Sequence, residues 1–158
     1  MNIKIKHEVI GVDTEKKEIT VKNLTTGKVF TDNYDKLMIS TGAHAIMPPI
    51  KNITAEGVHT LKDYNDGITL KQEMMKEENQ EIIIVGAGYI GIEVVEAAKH
   101  LGKKNIRLIQ LGDRVLMESF DKEITDVMEA EIRSHEGIHL HLEETVLEII
   151  EENGKLSE

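Results

Sequence analysis

Glu81-Ile82-Ile83-Ile84-Val85-Gly86-Ala87-Gly88-Tyr89-Ile90-Gly91 decides the fold of this chain. The apolar run Ile82 to Val85 reads as a buried strand, and it enters glycines spaced as G-x-G-x-x-G. Gly86 permits a tight turn out of the strand, Gly88 lets backbone amides approach a pyrophosphate, and Gly91 lets the next helix pack close to the sheet. Ile90, Val94, Ala97, Ala98 and Leu101 then recur at helical spacing with their face inward, and Gly102 is a natural C-cap. The N-terminus of that helix supplies partial positive charge to an anion. A glycine triplet alone is weak evidence. Between a buried strand and an amphipathic helix it predicts dinucleotide binding, with Gly86, Ala87, Gly88, Tyr89, Ile90 and Gly91 as the binding segment.

Downstream the alternation continues. Residues 106–111 read as a second strand, and Asp121 as the N-cap of a helix carrying Ile124, Val127, Met128 and Ile132. Gly137 ends that helix, and Ile138, Leu140 and Leu142 alternate as a third strand. Strand, helix, strand, helix, strand predicts an α/β unit on a parallel sheet. Residues 146–150 read as a further strand, and Asn153-Gly154 as a hairpin turn with only Lys155 to Glu158 left to return. The expectation is an internal piece of a longer protein. Upstream of the glycines, Tyr64, Ile68 and Met75 share a helical face over 63–76, and Gly57 to Leu61 reads as a short strand.

Before about residue 50 the pattern differs. Ile3 and Ile5 alternate with lysines, Val9, Ile10 and Val12 follow, and 13–17 form a polar turn. Ile19 and Val21 alternate again, Thr25-Thr26-Gly27 turns the chain, and residues 28–31 return it, which predicts a β-meander. Leu37-Met38-Ile39 reads as a strand buried on both faces. It leads into Ser40-Thr41-Gly42-Ala43, small residues that allow close backbone approach, and Pro48-Pro49 marks a domain boundary.

Composition narrows the function. The 158 residues are 40% hydrophobic and 30% charged, enough for a packed core and incompatible with a disordered tail. A net charge of -10 without a basic cluster argues against nucleic acid and anionic membrane. No apolar run approaches the ~18 residues of a membrane span, and no secretory leader pattern follows Met1. The expected location is the cytoplasm. Zero cysteines exclude disulfides, thiolate metal sites and a cysteine nucleophile within these residues, and 3% aromatics disfavour base stacking.

The residue that meets the adenosine ribose is expected about 20 residues beyond the glycines, and counting from Gly91 lands on Gln110. An amide hydrogen-bonds hydroxyls but carries no charge to repel a 2′-phosphate. Leu111 and Gly112 add no positive charge, and Arg114 lies a few residues on, so NAD is favoured over NADP. Glu93 reads as an N-terminal helix charge or a cofactor contact. His139 and His141 share a strand face but lack a third ligand, so no metal is expected. Met74-Met75 reads as core filler, and Glu143-Glu144 and Glu151-Glu152 as solvated pairs.

The segment Ile83 to Glu93 resembles the NAD(P)-binding segment of the pyridine nucleotide-disulfide oxidoreductases. Tyr34-Asp35-Lys36-Leu37-Met38-Ile39-Ser40-Thr41-Gly42 resembles their YDxLxxATG segment, with Ser40 in place of the usual Ala. Pro48-Pro49-Ile50, Gly57 to Lys62, Asp113 to Leu116 and Phe120 to Glu123 keep the family's order. The likeness is greatest to the coenzyme A-disulfide reductase and NADH oxidase branch. It implies a flavoenzyme in which NAD(P)H reduces FAD, which then reduces a disulfide or oxygen. By position, Tyr89 matches a lid over the nicotinamide, Glu93 a residue near its carboxamide, and Thr41 and Gly42 a segment against FAD. The family's FAD fingerprint, redox cysteine and C-terminal dimerisation domain are not found in these residues. The resemblance therefore implies that 1–46 is the C-terminal part of a truncated FAD-binding domain. Residues 51–158 would be a Rossmann-like, three-layer NAD(P)-binding domain, incomplete at its C-terminus. The piece itself is expected to be inactive and to contain no catalytic residue. Its parent is expected to be a homodimeric FAD enzyme; the alternatives are an NADH oxidase or peroxidase on the same scaffold and a stand-alone, non-catalytic NAD-binding module.

Overall fold

The computed structural model describes residues 2–152 and 155–156. The chain divides into two compact units, 1–43 and 44–158. In the first, β1 (His7–Asp13), β2 (Glu18–Asn23) and β3 (Val29–Asn33) form an antiparallel sheet in that order. This is the expected meander. Its turn chemistry is local: the Asn23 side chain accepts from the Thr25 and Thr26 N–H groups at 2.9 and 3.0 Å, and Gly27 takes φ +73°. A register shift between Val9 and Gly11 makes a bulge.

The second unit is built on β4 (Glu81–Val85), β5 (Asn105–Gln110) and β6 (Ile138–Leu142), paired in parallel in that order. Helices α2 (Tyr89–His100) and α3 (Lys122–Ser134) make the crossovers. The α/β class and the parallel sheet are therefore as the sequence predicts. Ile84, Ile106, Leu108, Ile138 and Leu140 line one sheet face and are buried with Val95 and Ala98 of α2 and Ile132 of α3. On the opposite face Ile83 and Val85 are each 58% exposed. Helix α1 (Tyr64–Met75) precedes the sheet, and Asp63 and Asp66 form a reciprocal capping box at its start. Helix α2 ends in a Schellman arrangement: Gly102 N–H donates to Lys99 O and Lys103 N–H to Ala98 O, with Gly102 at φ +77°.

Several expectations are corrected. Ile3 and Ile5 precede β1 rather than belonging to it, because the ladder begins at the His7–Asn23 pair. Leu37-Met38-Ile39 forms no strand: no described residue pairs with it, and Met38 and Ile39 are 87% and 73% exposed. Apolar composition favours burial, but a strand buried on both faces needs neighbours to supply its hydrogen bonds. Residues 57–61 are likewise unpaired. Of 146–150 only Glu148 pairs, in a single parallel bridge with Lys51. Asn153-Gly154 lies outside the described residues, and its flanks, β7 (Glu151–Glu152) and β8 (Lys155–Leu156), pair antiparallel.

The helix faces also differ from the expected ones. In α1, Met74 is buried while Tyr64, Ile68 and Met75 are exposed, so only the first of the two adjacent methionines fills the core. In α2 the seated residues are Val95 and Ala98, whereas Ile90, Ala97 and Leu101 are exposed. The cause is Gly91, whose close approach to the chain before it fixes the helix rotation. In α3, Thr125 and Ile132 are buried while Ile124 and Val127 face solvent. Asp121 occupies the N-cap position of α3, yet its side chain makes no capping hydrogen bond. Among the described residues no helix is long and apolar enough to cross a membrane.

Candidate functional site

Strand β4 brings the chain to the carboxyl edge of the parallel sheet, the side on which such sheets bind ligands. Gly86 N–H donates to Ile109 O at 2.8 Å, carrying the ladder one residue past β4, and φ +104° at Gly86 then turns the chain away. Ala87, fully buried, is held at both polar groups. Its N–H donates to Gln110 Oε1 at 3.0 Å, and its carbonyl accepts from Leu116 N–H at 2.9 Å. The glycine loop is thus tied to the end of β5 and to the segment that follows it.

Gly88 is the N-cap of α2, in an extended conformation (φ -81°, ψ -173°), and no side chain caps the helix. The first-turn N–H groups have no carbonyl within the helix to meet, an arrangement that suits an anion. A Cβ at Gly88 would meet nothing within 4 Å. At Gly91 it would lie 1.9 Å from the Gly86 carbonyl oxygen. The first position faces open space above the loop; the second is the seat of the helix. That division matches what a pyrophosphate-binding turn requires.

A cleft of about 320 Å³ opens beside the loop. Ala87, Gly88, Tyr89 and Gln110 belong to its lining. Leu116, Met117, Glu118 and Ser119 complete it. Tyr89 is 56% exposed, with its ring edge-on to Phe120 at 6.0 Å between centroids. Ile90 is exposed on the first turn of α2, and Glu93 is exposed on the second. Neither lines the cleft. Thr41 and Gly42 belong to the first unit, in the exposed segment after β3, where Gly42 takes φ +78°.

Sequence reasoning did not assign the 116–119 wall. This segment has no periodicity to betray it. Its conformation is set instead by Val115, which is fully buried and donates its N–H to Glu129 Oε1 of α3 at 3.1 Å. Leu116 then adopts φ +47°, and its carbonyl accepts from the Ser119 and Phe120 N–H groups. A non-glycine residue in this left-handed region is uncommon, and here it shapes the turn over 116–119. Arg114 braces the same loop, donating to Met117 O at 3.2 Å, with Asp113 at 3.6 Å. Of the strand histidines, His139 is exposed and His141 lies 3.3 Å from Glu144. Among the described residues no three His, Asp or Glu side chains converge as a metal site.

The whole chain, residues 1–158, matches the family model described as pyridine nucleotide-disulphide oxidoreductase. An NADH oxidase of Enterococcus faecalis is 37% identical over 156 residues, which cover 98% of this chain and 34% of the relative. An NAD(P)H coenzyme A polysulfide/persulfide reductase of Pyrococcus horikoshii is 34% identical over 149 residues, covering 94% of this chain and 32% of the relative. Among solved structures, the water-forming NADH oxidase of Lactobacillus brevis bound to NADH superposes with a TM-score of 0.79 at 34% identity. That match covers 95% of this chain and 32% of the other. The chain thus spans about a third of the length of the curated relatives it matches. With a glycine turn at the edge of a parallel sheet and a family match from end to end, the chain belongs to the pyridine nucleotide-disulphide oxidoreductases.

Proposed function

We propose that residues 51–158 hold the nicotinamide dinucleotide, NAD(P)H with NAD favoured, of an FAD-dependent oxidoreductase. When bound, the dinucleotide would supply a hydride for the flavin-dependent reduction of a disulfide such as coenzyme A disulfide. The observation that carries this reading is the division of labour in the glycine loop. Gly88 leaves room above uncapped helix N–H groups, while Gly91 seats the helix. The residues therefore fit the dinucleotide's pyrophosphate. Gln110 holds Ala87 before any ligand arrives, so the loop needs no ordering on binding. Tyr89, exposed on the cleft lining, serves as a lid over the nicotinamide end, and Glu93 is assigned to its carboxamide.

Residues 1–46 are proposed as the C-terminal part of the FAD-binding domain, with Thr41 and Gly42 lying against that cofactor. Among the described residues the segment around Thr41 and Gly42 is exposed and makes no cradle for a flavin. The flavin's own phosphate loop, the redox group and a homodimer interface are assigned to the remainder of the longer protein, which we place in the cytoplasm. Nucleic acid and membrane are not among the proposed partners. A second reading, NADH oxidase or peroxidase on the same scaffold, is favoured by the 37% identity to the Enterococcus enzyme. With zero cysteines here, the chain's own residues do not choose between the acceptors.

Calorimetric titration tests the reading. NADH is expected to bind weakly, and adenosine diphosphate ribose within about threefold of it, because the nicotinamide ring lacks the flavin as a stacking partner. A flat titration with both would overturn the assignment. The purified chain is expected to retain no flavin and to show no reductase activity. Stoichiometric flavin absorbance would contradict the proposed division between the two domains.

A further inference from the structure

An adenosine ribose at the end of the second parallel strand is ordinarily read by an acid there, which accepts from the 2′-hydroxyl. Its charge also disfavours a 2′-phosphate. Here that position is Gln110, and its amide is already committed. The Ala87 N–H can face only an acceptor, so Oε1 turns inward at 3.0 Å and Nε2 turns away, 3.7 Å from Met117 Sδ. What Gln110 offers a ribose is a donor without charge. Arg114 is not among the residues that line the cleft, and its guanidinium donates to Met117 O beside Asp113. A dinucleotide in this cleft therefore lacks both the usual acceptor for its ribose hydroxyls and the usual ion pair for a 2′-phosphate.

The cleft wall holds one acidic residue, Glu118. It sits inside the turn closed by the Ser119 N–H to Leu116 O bond at 2.9 Å. Leu116 N–H in turn holds Ala87 O, so one peptide of the glycine loop fixes the turn that carries Glu118. Glu118 is exposed, and it lines the same cleft as Gln110.

We propose that Glu118 is the specificity-determining residue of this site, replacing the missing strand-end acid. It accepts from the ribose hydroxyls and repels a 2′-phosphate, so the cleft takes NAD(H) over NADP(H). The inference rests on the reading of the cleft as a dinucleotide site. Glu118 arrives from the loop after β5 rather than from the strand itself, which is why counting along the sequence does not find it.

The test is titration of the full chain and Glu118→Gln with NADH and with NADPH, at low and at high salt. The wild type is expected to prefer NADH, and Glu118→Gln to cut that preference about tenfold at low salt, chiefly by tightening NADPH. High salt should compress the wild-type preference toward that of the variant, since an exposed charge is screened. Glu118→Asp, which keeps the charge, should retain part of the preference. An unchanged ratio in Glu118→Gln, or no preference in the wild type, overturns the assignment of Glu118 while NADH binding leaves the dinucleotide reading standing. Failure of the wild type to bind either nucleotide overturns both.

Discussion

Gly88→Val is expected to weaken binding of NADH and of adenosine diphosphate ribose by at least about a hundredfold, or ~2.7 kcal/mol. The chain should nevertheless stay folded. The backbone at Gly88 is extended (φ -81°, ψ -173°), a conformation open to any residue, and a Cβ there touches nothing within 4 Å. The valine side chain therefore projects into the space a pyrophosphate needs above the uncapped N–H groups of α2. Stability should fall by about 1 kcal/mol or less, the difference between glycine and a β-branched residue at an N-cap. Paired calorimetry and thermal denaturation check this. Wild-type affinity in Gly88→Val would mean that the phosphate does not lie over this loop, whatever the fold.

That separation of ligand space from packing space explains how much could be read from residues alone. Ile82 to Val85 followed by Gly86, Gly88 and Gly91 fixes the strand, the turn and the helix, because each residue type answers a local steric demand. Ile138, Leu140 and Leu142 declare their strand by alternation, and the first two are buried as that pattern requires. Rotation of a helix is a tertiary property. Ile90 and Leu101 fit the helical period yet point outward, because Gly91 must face the Gly86 carbonyl and carries Val95 and Ala98 in with it. Leu37-Met38-Ile39 shows the converse limit. Hydrophobicity is local, but the hydrogen-bond partners that define a strand are not, and here no described residue supplies them.

The candidate site divides in the same way. Gln110 is found by counting, since strand and helix lengths set its distance from the glycines. What it does is not found that way. The Oε1 bond to Ala87 N–H makes it a clasp on the loop, and this pairing joins residues 23 apart in sequence. The Leu116 to Ser119 wall depends on Val115 being buried against the core and on a left-handed residue with no glycine to announce it. Such a turn carries no signal in composition or period.

Gly91→Val should act on the opposite side of the same motif, with the larger effect on the fold. A Cβ at Gly91 would stand 1.9 Å from Gly86 O, 3.1 Å from Gly86 C and 3.6 Å from Ile84 Cγ2. The first two are backbone atoms of the peptide whose N–H, on Ala87, donates to Gln110 Oε1 at 3.0 Å, and the Gly86 N–H before it donates to Ile109 O at 2.8 Å, so they cannot swing aside as the end of a side chain would. The helix must lift instead. Val95 and Ala98, 4% and 0% exposed, would then lose contact with β4 and β5, and the strain adds to the lost burial. The expected cost is about 3 kcal/mol, a drop of roughly 6–12 °C in Tm for a chain of this size. Gly91→Ala brings the same first carbon with less bulk behind it, and about 1–2 kcal/mol is expected. Circular dichroism melts of the two variants beside Gly88→Val provide the check. The ordering should be Gly91→Val worst, Gly91→Ala intermediate and Gly88→Val nearly silent, although Gly88→Val adds as much bulk as Gly91→Val. A Gly91→Val protein melting with the wild type would show that α2 is not seated on the Gly86 carbonyl.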